Sequence, residues 1–335
     1  LPNKWHDPVD GTDWRPKYPG RVPLLGEFNT RATMDKEIEA AADHGVDFFS
    51  ILWYYIPPGA AYEKNVRLVN AGLECFLASP QAQRMKFCVE FCNHPPFAVK
   101  SDEDWAACIR AWIPAFKHTS YLRVGGKLVF KIHSAHHFAL DNGGDPAREK
   151  QQLDGLRAAV KDAGLGEMLI GGGIMGGSVV GQDWPAAKLF DFTNTYMDLP
   201  KLEQKPEDYP YQELAKAIRQ WNAQQAKSAL SYVPFMAAGF NARPWRDKRP
   251  AFSFPTAAEF EAELRQMATD LDANPRFGLP LPGGGRQKLF TIYAWNEFGE
   301  GGIVAPTKGE GTMKLEAIER VFGGAASRLD VKLDR

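Results

Sequence analysis

Residues 86–92 and 127–133 read KFCVEFC and KLVFKIH, and these two stretches decide the fold. In both, bulky apolar residues alternate with a second set of side chains, which is the period-two pattern of a β-strand. The second sets include Glu90 in the first stretch and Lys131 in the other. A charge on the inward face of a strand is costly unless it is paired. We therefore predict that the stretches are neighbouring strands and that Glu90 and Lys131 form an ion pair between them.

Short apolar runs of this kind recur along the whole chain, with helix-like stretches between most of them. The runs are VPLLGEF (22–28), VDFFSILW (46–53), KFCVEFC (86–92), KLVFKIH (127–133), MLIGGGI (168–174), LFDFTNTY (189–196), SYVPFMAAG (231–239) and KLFTIYAW (288–295). Eight strand–helix units in roughly 300 residues predict an α/β fold, a single (β/α)8 TIM barrel. A doubly wound open sheet is the alternative, but neither GxGxxG nor GxxxxGK[ST] follows the first run.

Composition sets limits on the partners of the chain. Its 335 residues are 44% hydrophobic with a formal charge of −1, which allows a large core and gives no sign of a nucleic-acid or membrane partner. No run approaches the roughly 18 apolar residues of a membrane span. The chain starts at Leu1 without Met, so a signal peptide could have been removed, and a periplasmic or secreted location is slightly favoured. The oligomeric state is left open.

The four cysteines are too few for a disulfide scaffold. Cys88 and Cys92 fall in one strand-like run and lie too far apart to bridge each other. Cys75 and Cys108 fall in helix-like stretches, and their spacing does not say whether they form disulfides.

Two segments rich in proline and aromatic residues have no periodicity. We expect residues 1–335 to form one catalytic domain, with residues 1–21 as an N-terminal extension packed on the barrel. The other segment, residues 240–256 (FNARPWRDKRPAFSFPT), follows strand seven. Long loops in compact domains are usually functional, so we expect it to cover the C-terminal mouth of the barrel.

Residues 294–302, AWNEFGEGG, continue strand eight into a glycine-rich turn. Thr291, Tyr293 and Trp295 belong to the inward set, so Glu297 is predicted to be its last member. A turn through Gly299 would bring Glu300 back to the same mouth. Two carboxylates at one mouth are the groups needed to cleave a glycosidic bond. The alternative is that these glutamates cap a helix or form surface salt bridges.

The run WNEFGEGG resembles the glutamate motif of glycoside hydrolase family 99 and the WbsX-like group, and also the Trp-Asn-Asp-x-Gly-Glu motif of the family 71 α-1,3-glucanases. Looser similarity appears at ILWYY (51–55), FCNHPPF (91–97) and VGGKLVFKIH (124–133). The resemblance implies a TIM barrel that cleaves an α-linked glycan without a cofactor or metal. The resemblance to family 99 implies that Glu297 is the base acting on the sugar 2-hydroxyl, through a 1,2-anhydro intermediate, and that Glu300 is the acid/base. The resemblance to family 71 implies that the two residues cleave the bond with inversion of the anomeric configuration.

The sequence departs from these motifs at several positions. It has Glu297 where family 71 has Asp, Gly299 where the endo-mannosidases carry His, and Gly302 and Ile303 in place of Thr-Gln. The sugar, the linkage, endo or exo attack and the stereochemical outcome therefore do not transfer with the resemblance.

Aromatic and polar residues near the predicted mouth are candidates for sugar binding, since aromatic faces stack on the apolar faces of pyranoses. The predicted substrate-binding residues are Trp53, Tyr54, His94, His133, Tyr196, Asp198, Arg243, Trp245, Trp295 and Asn296. A basic cluster, Arg243, Arg246, Lys248 and Arg249, is either a solvated loop or a site for an acidic sugar. Glu27, at the end of the first run, is a spare carboxylate that could replace either catalytic candidate.

Other classes of protein compete with a glycosidase. A metal-dependent barrel hydrolase would use His94, His133, His136 and His137, but HExxH is absent and no His-x-His ends strand one. A polysaccharide lyase would use a Tyr or His base on uronic acids. A glycan-binding pseudoenzyme or a glycosyltransferase is the fourth class, and the sequence has no evident nucleotide-sugar site.

Overall fold

The computed structural model describes residues 11–27, 29–60, 69–175 and 188–323. Its strands are β1 (Phe48–Trp53), β2 (Lys86–Phe91), β3 (Arg123–Val124), β4 (Lys127–Ile132), β5 (Met168–Ile174), β6 (Phe192–Thr195), β7 (Ser231–Val233), β8 (Phe235–Ala237), β9 (Leu279–Pro280), β10 (Arg286–Gln287), β11 (Thr291–Tyr293), β12 (Asn296–Glu297) and β13 (Gly302–Ile303). Its α-helices are α1 (Arg31–Asp43), α2 (Ala71–Ala78), α3 (Asp102–Phe116), α4 (Ala135–Asp141), α5 (Pro146–Asp162), α6 (Tyr211–Gln225), α7 (Ala257–Ala273) and α8 (Met313–Phe322).

The main sheet follows the chain in order. Strands β1, β2, β4, β5, β6 and β7 pair side by side in parallel, and β3 adds a short antiparallel strand to β4. After β7 the ladder is interrupted at Pro234, which has no amide hydrogen, and β8 then pairs in parallel with β11. Helices occupy most of the connections between these strands. This is the arrangement of an α/β TIM barrel, and the predicted fold class is confirmed.

The predicted first strand, residues 22–28, was wrong for the part that the structure describes. Pro23 makes only an isolated bridge to Thr307, Leu24 is 53% exposed, and Gly26 has a φ of 122°. Proline lacks the ladder donor and a positive φ breaks an extended strand. Within the described residues, β1 and β11 are therefore the outer parallel strands, and Phe49 contacts Trp295 across them with 5.0 Å between ring centroids.

The predicted ion pair inside the barrel is confirmed. Glu90 and Lys131 are aligned on neighbouring strands, both are buried, and Lys131 Nζ lies 2.8 Å from Glu90 Oε1. Ser50 Oγ donates to Glu90 at 2.9 Å, and Lys131 donates to Asn194 Oδ1 at 2.6 Å. Burial opposes ionisation of Glu90, but Lys131 and His133 outweigh it and lower its pKa to about 2.

The opposite faces of these strands form the core against the helices. Phe87, Val89 and Phe91 are fully or almost fully buried in one cluster with Trp112 of α3. None of the four cysteines, Cys75 and Cys108 included, is in a disulfide. None of the described helices is long and apolar enough to cross a bilayer.

The start of the described chain contacts the other end of the sequence. Trp14 is buried in a cluster with Phe298, Ile303 and Ala305. Residues 1–10 lie outside the described residues. The assignment of 1–335 to one catalytic domain, with 1–21 as a packed extension, stays a prediction.

Candidate active site

A cavity of about 1350 Å³ holds both glutamates of the predicted motif. Its upper wall is made of residues that follow the carboxyl ends of strands, where TIM barrels carry their sites. These residues are Tyr54, His94, Tyr196, Trp245, Glu297 and Glu300. The cavity continues along the outer strands β1 and β11 and reaches Glu37 and Asp272.

A tight antiparallel turn brings the two glutamates together. Glu297 ends β12 and pairs with Gly302 of β13. The backbone carbonyl of Glu297 accepts from the amides of Glu300 at 3.1 Å and Gly301 at 2.8 Å. Gly301 has a φ of 83°, and a Cβ there would lie 2.8 Å from the Asn241 nitrogen. A glycine at 301 therefore satisfies both the backbone conformation and the close approach of the neighbouring loop.

Glu297 is half-buried and hydrogen-bonded to a tyrosine. The hydroxyl of Tyr196 donates to Glu297 Oε1 at 2.9 Å. Burial and the nearby charge of Glu300 raise the pKa of Glu297 to about 7, although the Tyr196 hydrogen bond and Arg249 act in the opposite direction. Glu297 is thus able to hold or release a proton near neutral pH.

Glu300 has a different environment. Its Oε1 lies 2.8 Å from the Arg249 guanidinium, and its Oε2 accepts a hydrogen bond from the Tyr293 hydroxyl. Arg249 is also paired with Asp247 at 2.7 Å. The site therefore contains one carboxyl group whose pKa is raised to about 7 and a second carboxyl group paired with an arginine.

Gly299 lies between the two glutamates and is covered by Trp245. A Cβ on Gly299 would lie only 2.2 Å from an indole carbon of Trp245, so the absence of a side chain allows the ring to pack on the turn. The indole belongs to the cavity wall. An apolar face next to two carboxylates is the combination that sugar sites use.

The structure brings some predicted substrate-binding residues to the cavity. Those in its wall are Tyr54, His94, Tyr196, Trp245, Trp295 and Asn296. Tyr54 packs edge-on against Phe97, with ring centroids 4.7 Å apart, and His94 lies 5.9 Å from the same ring. Phe97, a further wall residue, ends the stretch FCNHPPF but was not among the predicted binding residues.

Other predicted substrate-binding residues lie away from this wall. Trp53 was placed wrongly, because its position in β1 turns it to the helix side, where its ring packs against Trp112 at 5.2 Å. His133 is buried behind Tyr196, 4.7 Å between rings, and its Nδ1 lies 2.6 Å from Glu90 Oε1. Burial lowers the pKa of His133, which favours the neutral ring.

Two polar candidates for substrate binding also lie away from the cavity wall. Asp198 is absent from the described residues that line the cavity. Arg243 lies in the 3-10 helix Arg243–Trp245, paired with Asp208 at 2.8 Å. Because Arg243 and Arg249 are both neutralised by carboxylates, the basic cluster offers an acidic sugar less free charge than the sequence indicated. Glu27 is exposed on its loop and is likewise absent from the described cavity wall.

Three contributors to the site were missed in the sequence. Arg249 was considered only as part of a basic cluster, and Tyr293 only as an inward residue of strand eight. Arg21, which contacts the glutamate turn, lay in a segment without periodicity. Their partners are 7 to 278 residues away in the chain, so no local pattern could have indicated them.

The histidines of the metal-dependent alternative remain dispersed. His94 and His133 are 5.9 Å apart between ring centroids, and His136 and His137 are 5.7 Å apart. Within the ranges that the structure describes, no three histidine, cysteine or carboxylate side chains form a group that could hold a metal ion.

Fold and site together define a TIM-barrel protein of the kind to which glycoside hydrolases belong. The chain belongs to the WbsX family, because the family model described as glycosyltransferase WbsX matches residues 14–318. No curated protein matches the sequence.

Solved structures share the fold at low sequence identity. A glycoside hydrolase-like protein superposes with a TM-score of 0.61 at 15% identity, over 90% of this chain and 89% of that chain. The GH99 endo-alpha-mannosidase from Bacteroides thetaiotaomicron, in complex with bis-tris-propane, has a TM-score of 0.57 at 16% identity, over 89% of this chain and 86% of its own. The resemblance to the family 99 and WbsX-like group is thus confirmed at the level of family and fold.

Proposed function

We propose that the protein is a glycoside hydrolase that cleaves an α-linked glycan with Glu297 and Glu300. The observation that carries this proposal is the placement of two carboxyl groups with different partners, Tyr196 for Glu297 and Arg249 for Glu300, on one turn of the cavity wall. Glycosidases need one carboxyl group to protonate the leaving oxygen and a second one to act as base or nucleophile. The α-linkage is supported by the endo-alpha-mannosidase neighbours, whose chains this fold resembles.

The electrostatics of the free protein favour a particular division of labour. Glu297, with its raised pKa, would donate the proton to the leaving oxygen. Glu300, paired with Arg249 at 2.8 Å, would act on the sugar as base or nucleophile. This is the reverse of the roles that the family 99 resemblance implies. It gives the proton-donating role to the glutamate whose pKa is raised.

The substrate is proposed to be an oligosaccharide or polysaccharide. The cavity opens at the glutamates, and its total volume of about 1350 Å³ includes the part that runs along β1 and β11 to Glu37 and Asp272. Trp245 and Tyr54 supply aromatic faces for stacking, while Asn296 supplies an amide at the wall. An acidic sugar within the glycan is not favoured by the basic cluster, since Arg243 is paired with Asp208 and Arg249 with Asp247 and Glu300.

Replacing Tyr196 by Phe tests which glutamate carries the proton. Loss of the hydroxyl removes a hydrogen bond that lowers the pKa of Glu297, so that pKa should rise. If Glu297 is the acid, the alkaline limb of kcat/KM against pH moves up by about one pH unit, since such a bond contributes about 1.5 kcal/mol. If Glu297 is the base, the acidic limb moves instead.

The matched control is Tyr211→Phe, which removes another buried tyrosine hydroxyl, one that donates to the Ala237 carbonyl at 2.8 Å. Its pH profile should coincide with that of the wild type. A Tyr196→Phe profile that is also unchanged would contradict a catalytic proton on Glu297.

A glycosyltransferase is the second candidate function, because the description of the family model names that activity. A lyase is a third, since tyrosines lie beside the glutamates. A transferase must transfer a sugar from an activated donor, whereas a hydrolase transfers it to water and a lyase leaves an unsaturated product.

One screen separates these functions. Purified protein is incubated with α-linked and uronate-containing polysaccharides, and product anomers are followed by NMR from the first minutes, with the double variant Glu297→Gln/Glu300→Gln as control. Reducing ends that appear only with the wild type support the proposal. Products that absorb in the ultraviolet would identify a lyase. Transfer from nucleotide sugars, without any hydrolysis of the glycan panel, would identify a glycosyltransferase.

A further inference from the structure

Arg21 is a buried arginine that reaches the glutamate turn from outside the strands. It ends the 3-10 helix Pro19–Arg21 and is 5% exposed. Its Nη1 donates to the carbonyl of Asn241 at 2.7 Å and lies 3.3 Å and 3.4 Å from the carbonyls of Phe298 and Gly299. The last two residues are the ones that separate Glu297 from Glu300.

The guanidinium is held in place on its other sides. It lies 5.1 Å from the ring centroids of Tyr18 and Phe254. Burial lowers the pKa of Arg21 to about 10, which still leaves it charged at neutral pH. A buried cation of this kind is retained only where several hydrogen bonds compensate for its desolvation. Here the compensation comes from backbone carbonyls of two different loops.

Those two loops are in direct backbone contact. The amide of Asn241 donates to the Glu300 carbonyl at 2.6 Å. A Cβ on Gly239 would lie 2.7 Å from the Gly301 oxygen, so no side chain fits between the loops. Arg21 binds both partners of this contact, one carbonyl from the loop after β8 and two from the turn after β12.

We propose that Arg21 is a positioning residue that fixes the turn of Glu297 and Glu300 against the loop bearing Trp245 and Arg249. It is absent from the described cavity wall, so it acts through the turn and not on the substrate. The expected effect of Arg21 on activity rests on the proposed function, whereas its effect on the structure of the turn does not. A displacement of about 1 Å at such a turn is enough to cost roughly 10²-fold in rate.

The test compares Arg21→Met with Arg21→Lys and Arg123→Met. Met has a similar length without charge, and Lys keeps the charge but lacks the planar fork of donors. Arg123 is the control for the loss of arginine–carbonyl hydrogen bonds at an exposed position, because it donates to two backbone carbonyls, Gly126 at 2.9 Å and Leu165 at 3.0 Å, beside the opposite end of the strands. Hydrogen exchange of the peptide covering residues 294–305 is measured by mass spectrometry without substrate, and kcat and KM are measured on the glycan found in the screen.

We expect Arg21→Met to accelerate exchange selectively in residues 294–305 and 239–242 and to lower kcat about 10²-fold with KM little changed. Arg21→Lys should show smaller changes than Arg21→Met in both exchange and kcat. Arg123→Met should leave exchange in these residues and kcat at wild-type values. If Arg21→Met does not fold, the comparison is made with Arg21→Lys, which should still accelerate exchange in the turn.

Exchange that rises evenly along the chain, or does not rise in 294–305, would overturn the positioning role whatever the activity. The positioning role would also be overturned if exchange in the turn rose in Arg21→Met while kcat stayed unchanged, provided that the Glu297→Gln and Glu300→Gln variants are inactive. Selective exchange together with full activity of those glutamine variants would sustain the contact and refute the proposed function instead.

Discussion

Glu297→Gln and Glu300→Gln are each expected to lower kcat/KM on the confirmed glycan by about 10³-fold or more. Each variant removes a proton donor or a charge while keeping the size of the side chain and one acceptor oxygen. Loss of a general acid or base costs roughly 10²–10⁴-fold, and the lost electrostatic stabilisation adds to it. The measurement is initial rate against substrate concentration, with circular dichroism to show that the fold persists.

Glu27→Gln is the control for this prediction, because Glu27 is the exposed carboxylate that the sequence offered as a substitute. It should retain wild-type turnover. Near wild-type rates in both motif variants would show that the assignment of Glu297 and Glu300 is wrong. Loss of activity in Glu27→Gln alone would move the chemistry to the loop at 22–27.

The stability of Glu297→Gln gives a check that needs no substrate. The folded pKa of Glu297 is about 7 against 4.5 ordinarily, so the folded state binds this proton more tightly than the unfolded chain does. Its contribution to stability is complete below about pH 4.5 and is lost as the pH rises through 7. Glutamine does not titrate, so the variant does not lose this stability. Between pH 4 and pH 8 the difference in free energy of unfolding between the variant and the wild type should therefore shift in favour of the variant by on the order of 3 kcal/mol.

Lys131→Met is expected to destabilise the protein by about 3–5 kcal/mol, the second large effect. The substitution leaves the Glu90 carboxylate buried with His133 and Ser50 as remaining partners, and removing one member of a buried pair leaves an uncompensated charge. Urea unfolding at pH 7, followed by tryptophan fluorescence, measures the loss. Because the pKa of Glu90 is lowered to about 2, the stabilisation from this pair should be present above about pH 4.5 and lost as the pH falls towards 2.

Lys127→Met on the same strand is the matched control. Lys127 pairs with Glu167 at 2.5 Å, but Glu167 is 72% exposed at the side chain. Exposed pairs contribute about 0–1 kcal/mol, so this variant should unfold close to wild type. Equal losses of unfolding free energy in the two variants would indicate that the buried Glu90–Lys131 pair stabilises the protein no more than an exposed pair does.

The alternation of residues in two strands was enough to predict the interior of the barrel. Glu90 and Lys131 had to face inward together once Phe87, Val89 and Phe91 were assigned to the helix side, and the structure confirms the pair. The same rule, applied to β1, would have turned Trp53 outward with Phe49 and Ile51. Trp53 lies at a strand end, but its register places the ring on the helix side against Trp112 and not in the cavity.

The prediction of a strand at 22–28 was wrong for a different reason. Its apolar residues fit a strand, but Pro23 and Gly26 do not support a hydrogen-bonded ladder in the middle of a sheet. Apolar content alone cannot distinguish a strand from a loop that covers the core.

Apart from residues 22–28, local sequence patterns are enough to predict the order of the parallel strands, the sharp turn after strand eight and the two glutamates on it, because these follow from residues within a few positions of each other. The difference between the two glutamates depends on tertiary contacts. Arg249 reaches Glu300 across 51 positions, Tyr196 reaches Glu297 across 101, and Arg21 reaches the turn across more than 270. Ionisation depends on the charges and burial around a group in space, and those neighbours are set by the packing of loops that local sequence patterns do not encode.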